Sequence, residues 1–235
     1  MRTAIKAGFV ILAAVVVAPV QAKKAASAIV APVQAKTASA KVIKQVEQTF
    51  SKVKDYKAEA NMSIDSSQMH VKDSKATIYF KRPDKVRVIA KEGFPMIPNE
   101  AVPGDPAKWI RDNFVPALEG GGNYKGAPAH VLKLVGKNDR VPTTMRMWVE
   151  KRRGLIIGTE SNSDGMKVKS DWSYKLVDGK YWLPSQVNVE MSSTTKVRSP
   201  ENSGHQKPVR GTAVIKITDY KVNKGVPDTV FKRRE

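Results

Sequence analysis

From about residue 75 onward the chain alternates apolar and polar side chains, and this period of two constrains its fold more than any other feature. Ala76, Ile78 and Phe80 alternate with Lys75, Thr77 and Tyr79. Val86, Val88 and Ala90 alternate with Lys85, Arg87 and Ile89, and Pro83-Asp84 is the turn between the two runs. Met145, Met147 and Val149 alternate with Arg146, Trp148 and Glu150, and Leu155 to Glu160 returns after Arg153-Gly154. Asp164-Gly165 leads into a run with Met166, Val168, Trp172 and Tyr174 on one face. Asp178-Gly179 is a hairpin signal before Tyr181 to Met191, where Val187, Val189 and Met191 share a face. With Val131 to Val135, Thr212 to Val222 (Ala213, Ile215 and Ile217 on one face) and a further strand at Met62, this makes roughly nine strands. Tight turns join them, and helices are too few for βαβ crossovers. The expected fold class is mainly β with α, a strongly curved antiparallel sheet.

Two stretches read as helical. Between Lys41 and Tyr56, Val42, Ile43, Val46, Phe50, Val53 and Tyr56 form an apolar stripe separated by Lys, Gln and Glu. Such a stripe must be buried against a sheet. A second helix is expected from Pro106 to Leu118, with Trp109, Ile110, Phe114 and Leu118 on one side. It lies within residues 93–123, a segment with five prolines and the glycine triplet Gly120 to Gly122. Residues 192–210 are polar, contain Pro200 and Pro208, and read as an exposed loop.

The start of the chain reads as an export signal. Arg2 and Lys6 precede an apolar run from Ala7 to Val17, Pro19 breaks the helix, and Val20-Gln21-Ala22 has the form of a cleavage site. The run falls short of the ~20 apolar residues that span a bilayer. The expected organisation is a signal peptide over 1–22, a linker over 23–38 and one domain over 39–235. Ala18-Pro-Val-Gln-Ala-Lys23 recurs as Ala31-Pro-Val-Gln-Ala-Lys36, which makes Ala35 a second plausible cleavage point. With no cysteine in the chain, disulfides, thiolate metal sites and acylation of a cysteine after the signal are all excluded. The mature protein is therefore expected free in the periplasm or secreted. The 41 Lys and Arg against 22 Asp and Glu give a net charge of +19, which favours anionic surfaces such as phospholipid head groups. The basic residues are scattered rather than clustered with aromatics, which argues against nucleic acid.

Catalytic patterns are absent. His70, His130 and His205 lack partners at metal-ligand spacing, and there is no G-x-S-x-G, P-loop or G-x-G-x-x-G. Ser51-x-x-Lys54 and Ser193-x-x-Lys196 match an acyl-serine dyad in spacing alone, without the further motifs such enzymes carry. The expectation is therefore no enzyme, no metal and no cofactor. What remains is the hollow of a curved sheet. The residues expected to face it are Phe50, Ile78, Phe80, Val86, Val88, Met145, Met147, Met166, Val187 and Val189. Methionines on these faces suit variable apolar ligands. The alternative is that these side chains are ordinary core.

The order of pieces resembles a known family. An amphipathic helix ending in Val53-Lys54-Asp55-Tyr56 is followed by a hairpin reading Tyr79-Phe80-Lys81-Arg82-Pro83-Asp84-Lys85-Val86-Arg87-Val88. Then come Met147-Trp-Val-Glu150, Asp164-Gly165, Trp182-Leu-Pro184 and a closing Tyr220 to Phe231. Together, over about Val42 to Phe231, these resemble the outer-membrane lipoprotein carrier (LolA/LolB-like) superfamily, which includes RseB/MucB-type sensors. The resemblance implies an incomplete β-barrel whose open side is plugged by helices, with acyl chains held between them. It places Arg82 at the cavity mouth, and Val86 stands where the well-known carriers have Phe. The helix with Trp109, Ile110, Phe114 and Leu118 becomes a lid, hinged at Gly104 and at Gly120 to Gly122. The function implied is that of a monomeric carrier or chaperone in outer membrane lipoprotein sorting. Its partners would be lipid or acylated protein cargo and an anionic membrane surface or membrane-bound donor or acceptor protein. The alternatives are an envelope sensor of the RseB/MucB type, disfavoured by the absence of a further domain before Glu235, and a cell-wall polyanion-binding protein.

Overall fold

The computed structural model describes residues 33–67, 70–90, 104–138, 144–163, 165–193 and 210–232. The signal peptide, most of the linker, His205 and nearly all of the polar loop at 192–210 lie outside the described residues.

Among the described residues, ten strands form one antiparallel sheet. After helix α1 (Val33–Phe50) come β1 (Asp55–Ser66), β2 (His70–Lys81) and β3 (Lys85–Ala90), then α2 (Pro106–Asn113) and β4 (Phe114–Tyr124). A meander follows: β5 (Ala127–Gly136), β6 (Thr144–Glu150), β7 (Ile156–Ser163), β8 (Met166–Val177), β9 (Tyr181–Ser193) and β10 (Arg210–Val222). A 3₁₀ turn covers Asp228–Phe231. The spatial order is β3-β2-β1-β10-β9-β8-β7-β6-β5-β4. The sheet is not closed, and β3 and β4, consecutive in the chain, are its two edges. The segment joining them therefore links opposite edges of the sheet, and α2 belongs to that segment.

Each strand turns one face inward. Ala60, Met62 and Ile64 of β1, Ile78 of β2, Val187, Val189 and Met191 of β9, and Ala213 and Ile215 of β10 form one buried cluster. A second joins Val42, Ile43 and Val46 of α1 and Ala107 and Ile110 of α2 to Leu132, Leu134, Met145, Met147 and Val149 of the meander. α1 lies in this position because its apolar residues Val42, Ile43, Val46 and Phe50 recur at i, i+1, i+4 and i+8 on one side of the helix. A third cluster of Val53, Phe80, Leu183 and Val222 sits at one end of the sheet.

Both helices end earlier than their apolar stripes suggest. α1 stops at Phe50, and Tyr56 lies in β1, opposite Phe80 and Val222, so strand pairing overrides the helical spacing. Ser51 and Lys54 thus sit in the turn after the helix. α2 stops at Asn113, which donates from Nδ2 to the Trp109 carbonyl at 2.9 Å. Phe114 and Leu118 belong to β4, not to a lid helix. Pro116 explains this, since it cannot continue a helix and forces Val115 into extended backbone. An edge strand such as β4 tolerates proline. Gly120 to Gly122 likewise pair with β5 around a bulge after Leu118, so they are strand and not hinge.

Candidate functional site

The inward faces leave an apolar cavity of ≈ 90 Å³ between the sheet and the two helices. Its walls combine Phe50 at the end of α1, Trp109 of α2, Phe80 of β2, Met145 and Met147 of β6, and Arg82. Trp172 and Tyr174 of β8 and Leu183 and Pro184 of β9 close the remaining side. The volume is well below the ~300–1,000 Å³ of common ligand pockets. In this closed arrangement the cavity has room for only a small group.

Arg82 fastens the closure. It follows β2, and its guanidinium reaches three elements together. Nε donates to the Val53 carbonyl at 2.7 Å, Nη2 donates to the Phe50 carbonyl at 2.6 Å, and Nη1 donates to Asp105. Phe50 is the last residue of α1, whose terminal carbonyls lack helical partners. Asp105 caps α2, accepting at Oδ1 from the amides of Ala107 (3.0 Å) and Lys108 (3.1 Å). The Asp105 side chain is only 5% exposed, that of Arg82 27%. One side chain thus joins the sheet, the end of α1 and the start of α2 at the cavity wall. Glu47 and Arg111 add a bidentate pair between the helices at 3.0 and 3.1 Å.

Gly104 is a close-approach residue. A Cβ there would lie 2.9 Å from both Phe80 Cε2 and Val86 Cγ2. The α2 segment can therefore pack directly on β2 and β3 because residue 104 has no side chain.

Of the residues expected to face the hollow, the cavity brings together Phe50, Phe80, Met145 and Met147, with Arg82 and Trp109. Ile78, Val187 and Val189 lie instead in the β1–β2–β9–β10 cluster, with Val88 packed against it. Val86 packs beside Phe80, next to Gly104. Met166 is half-buried at the far end of β8, away from the cavity lining. Ile110 and Phe114 are wholly buried core, and Leu118 packs on them. Sequence reasoning missed Asp105, although Asp105-Pro106 has the form of an N-cap followed by proline at N1. It also left out Trp172 and Tyr174, which its own reading put on one face of a strand.

Tyr56 lies against Phe80 (5.3 Å between ring centres) and Tyr220 (5.4 Å). Burial pushes its hydroxyl up to about 12. The Nε1 of Trp172 is buried with no hydrogen-bond partner. Among the described residues no group of His, Cys, Asp and Glu could hold a metal ion. His70 pairs with Asp65 at 2.7 Å, far from the cavity.

No family model matches the chain, and no curated protein matches its sequence. Solved structures do match its fold. A LolA superfamily protein from Nitrosomonas europaea aligns at TM-score 0.59 and 11% identity, over 83% of this chain and 97% of the other. A DUF1329 family protein from Desulfovibrio piger aligns at 0.59 and 17%, over 84% and 97%. A structure described as an outer membrane lipoprotein-sorting protein domain from Vibrio parahaemolyticus aligns at 0.54 and 11%, over 82% and 97%. The chain therefore has the LolA-type fold, an unclosed curved sheet with helices on its hollow side.

Proposed function

We propose that this chain is an exported carrier that holds the acyl chains of a lipid or lipoprotein between the curved sheet and α1 and α2. The observation that carries this reading is the apolar cavity covered by a helix that is held at its N-cap by the Arg82–Asp105 pair and on its flank by Arg111–Glu47. An ordinary core has no reason to keep a capped helix clasped over a gap beside Trp109, Met145 and Met147. The LolA-type fold supports the same reading.

Opening is part of the function. Loading requires α2 to part from Phe80 and Arg82, which widens the cavity along Trp109, Met147 and Trp172. Each buried methylene contributes about 0.8 kcal/mol. A chain burying roughly ten methylenes thus gains about 8 kcal/mol, enough to offset the loss of one partly buried ion pair at roughly 3 kcal/mol. Adaptable methionines suit cargo of varied chain length. The activity is binding, not turnover, and the place of action is the periplasm or another extracytoplasmic space after cleavage near Ala22.

The test is to produce the full chain with its signal, recover the envelope fraction, sequence the mature N-terminus and analyse an organic extract by mass spectrometry. The expected result is a chain beginning at Lys23 or Lys36 with an acylated molecule bound. An uncleaved cytoplasmic chain carrying no acylated species, together with failure of the mature protein to take up any long-chain lipid, would overturn the reading.

A further inference from the structure

Strand register sorts the turns into two sets. Tyr56 pairs with Val222, Val177 with Tyr181, Lys81 with Lys85, and Tyr124 with Ala127. The turns after α1, β2, β4, β6 and β8, and the segment after β10, therefore share one end of the sheet. Val53, Arg82, Leu183 and Pro184 of the cavity wall lie at that same end, and under the carrier reading the mouth is there, where Arg82 is 27% exposed.

The charges on these turns are unbalanced. Lys52, Lys54, Lys151, Arg152, Lys180 and Lys224 are all exposed, and among the described residues none has a carboxylate partner. The acidic groups nearby are already engaged. Asp105 holds Arg82, Glu150 holds Arg153, Asp171 holds Lys125, and Asp228 holds Lys81 and Lys85. Asp55 accepts the Gly225 amide, and Asp84 lies 3.8 Å from Lys108. Asp178 is left as the exposed carboxylate of these turns without a cation.

The basic turns are also held in place. Asn223 accepts from the Lys54 amide at 2.7 Å and donates to the Lys52 carbonyl at 2.9 Å. This joins Lys52, Lys54 and Lys224 into one ledge beside the mouth. Gln45 donates to the Lys151 carbonyl at 2.7 Å, and Thr49 donates to that of Arg153, which fixes Lys151 and Arg152 against the end of α1. Among the described residues the opposite end has paired charges, where Asp65 pairs with His70 and Glu160 with Lys167 and Lys169.

We propose that this rim docks the protein on an anionic phospholipid surface with the cavity mouth turned toward the bilayer. The orientation rests on the carrier reading, whereas the docking surface itself stands on charge and register. Clustered, uncompensated cations at a membrane surface act together and are screened by salt.

The test uses the mature chain and sedimentation with vesicles of phosphatidylcholine, with and without about one-third phosphatidylglycerol. Binding is expected only to the anionic vesicles, released by high salt. The triple variant Lys52→Glu, Arg152→Glu, Lys224→Glu should bind at least about tenfold more weakly. Lys72→Glu, Lys75→Glu, Lys133→Glu makes the same change in charge away from the mouth and should bind like the parent. Equal loss in both triples, or no preference for anionic vesicles, overturns the proposal. Uptake of a fluorescent fatty acid in vesicle-free buffer is read in parallel. Retention of uptake by the rim variant separates failed docking from failed cargo binding.

Discussion

Arg82 and Asp105, 23 residues apart in the chain, form a charge-assisted hydrogen bond that fastens the N-cap of α2 to the end of β2. The same guanidinium takes the last carbonyl of α1, so neither helix can leave the hollow without disturbing Arg82. Under the carrier reading, this pair is where the helices would part from the sheet. Ile110 and Ala107 hold α2 by apolar burial, while the polar clasp can be broken by a partner that competes for Asp105 or Arg82.

Replacing Arg82 with Met should destabilise the closed fold by roughly 3 kcal/mol, because the Asp105 carboxylate stays buried without its cation. Asp105→Asn keeps an acceptor for the Ala107 and Lys108 amides and should cost less. Urea unfolding of both variants checks the order. Equal, negligible effects would mean that the pair does not hold the helices.

Gly104→Val should be harmful although the change is small. The new side chain begins 2.9 Å from Phe80 and Val86, and overpacking of this kind costs about 1–3 kcal/mol. Thermal melts measure the loss. Acyl uptake should change in the same variant, because α2 can no longer seat on β2.

Ile78→Glu separates core from cavity. Ile78 is 7% exposed within the β1–β2–β9–β10 cluster, so a carboxylate there should cost several kcal/mol and unfold the chain. Trp109→Glu, at a partly buried position of the cavity wall, should stay folded and lose affinity for acyl ligands. Circular dichroism and a fatty-acid binding assay on both variants read the difference.

Three partly buried tyrosines, Tyr56, Tyr174 and Tyr220, set an alkaline limit. In the unfolded chain tyrosine ionises near pH 10, whereas burial holds Tyr56 protonated up to about 12. Burial also raises Tyr174, and Tyr220 is raised by burial and by its tyrosine neighbours. A folded value above the unfolded one gives stability that is complete below pH 10 and lost as pH rises toward 12. Tyrosinate absorbance during a pH titration should therefore rise for these residues together with unfolding. Reversible ionisation of Tyr56, Tyr174 or Tyr220 near pH 10 in the folded chain, assigned with the Tyr→Phe variant of each, would contradict their packing.

Most strands were legible because they bury one face, and alternation records that directly: Met145, Met147 and Val149 are all buried on β6. The ends of elements were less legible. Phe114 and Leu118 continue a helical stripe, and only the restriction that Pro116 imposes on Val115 moves them into β4. Val53 and Tyr56 extend the stripe of α1 but belong to the turn and strand that follow. The cavity was half legible. Phe50, Phe80, Met145 and Met147 meet there, whereas Ile78, Val187 and Val189 have the same pattern and fill core, because periodicity gives the face but not the position along a curved sheet. The Arg82–Asp105 clasp had no local signal at all, since it depends on the path between opposite sheet edges.

The most direct measurement is photo-crosslinking of the mature protein with a long-chain fatty acid bearing a diazirine on its tail, followed by peptide mass spectrometry. Labels are expected on Phe50, Trp109, Met145, Met147 and Trp172, and an excess of unmodified fatty acid should suppress them. Labels confined to the outer face of the sheet, or labelling that the competitor leaves unchanged, would contradict an acyl-binding cavity.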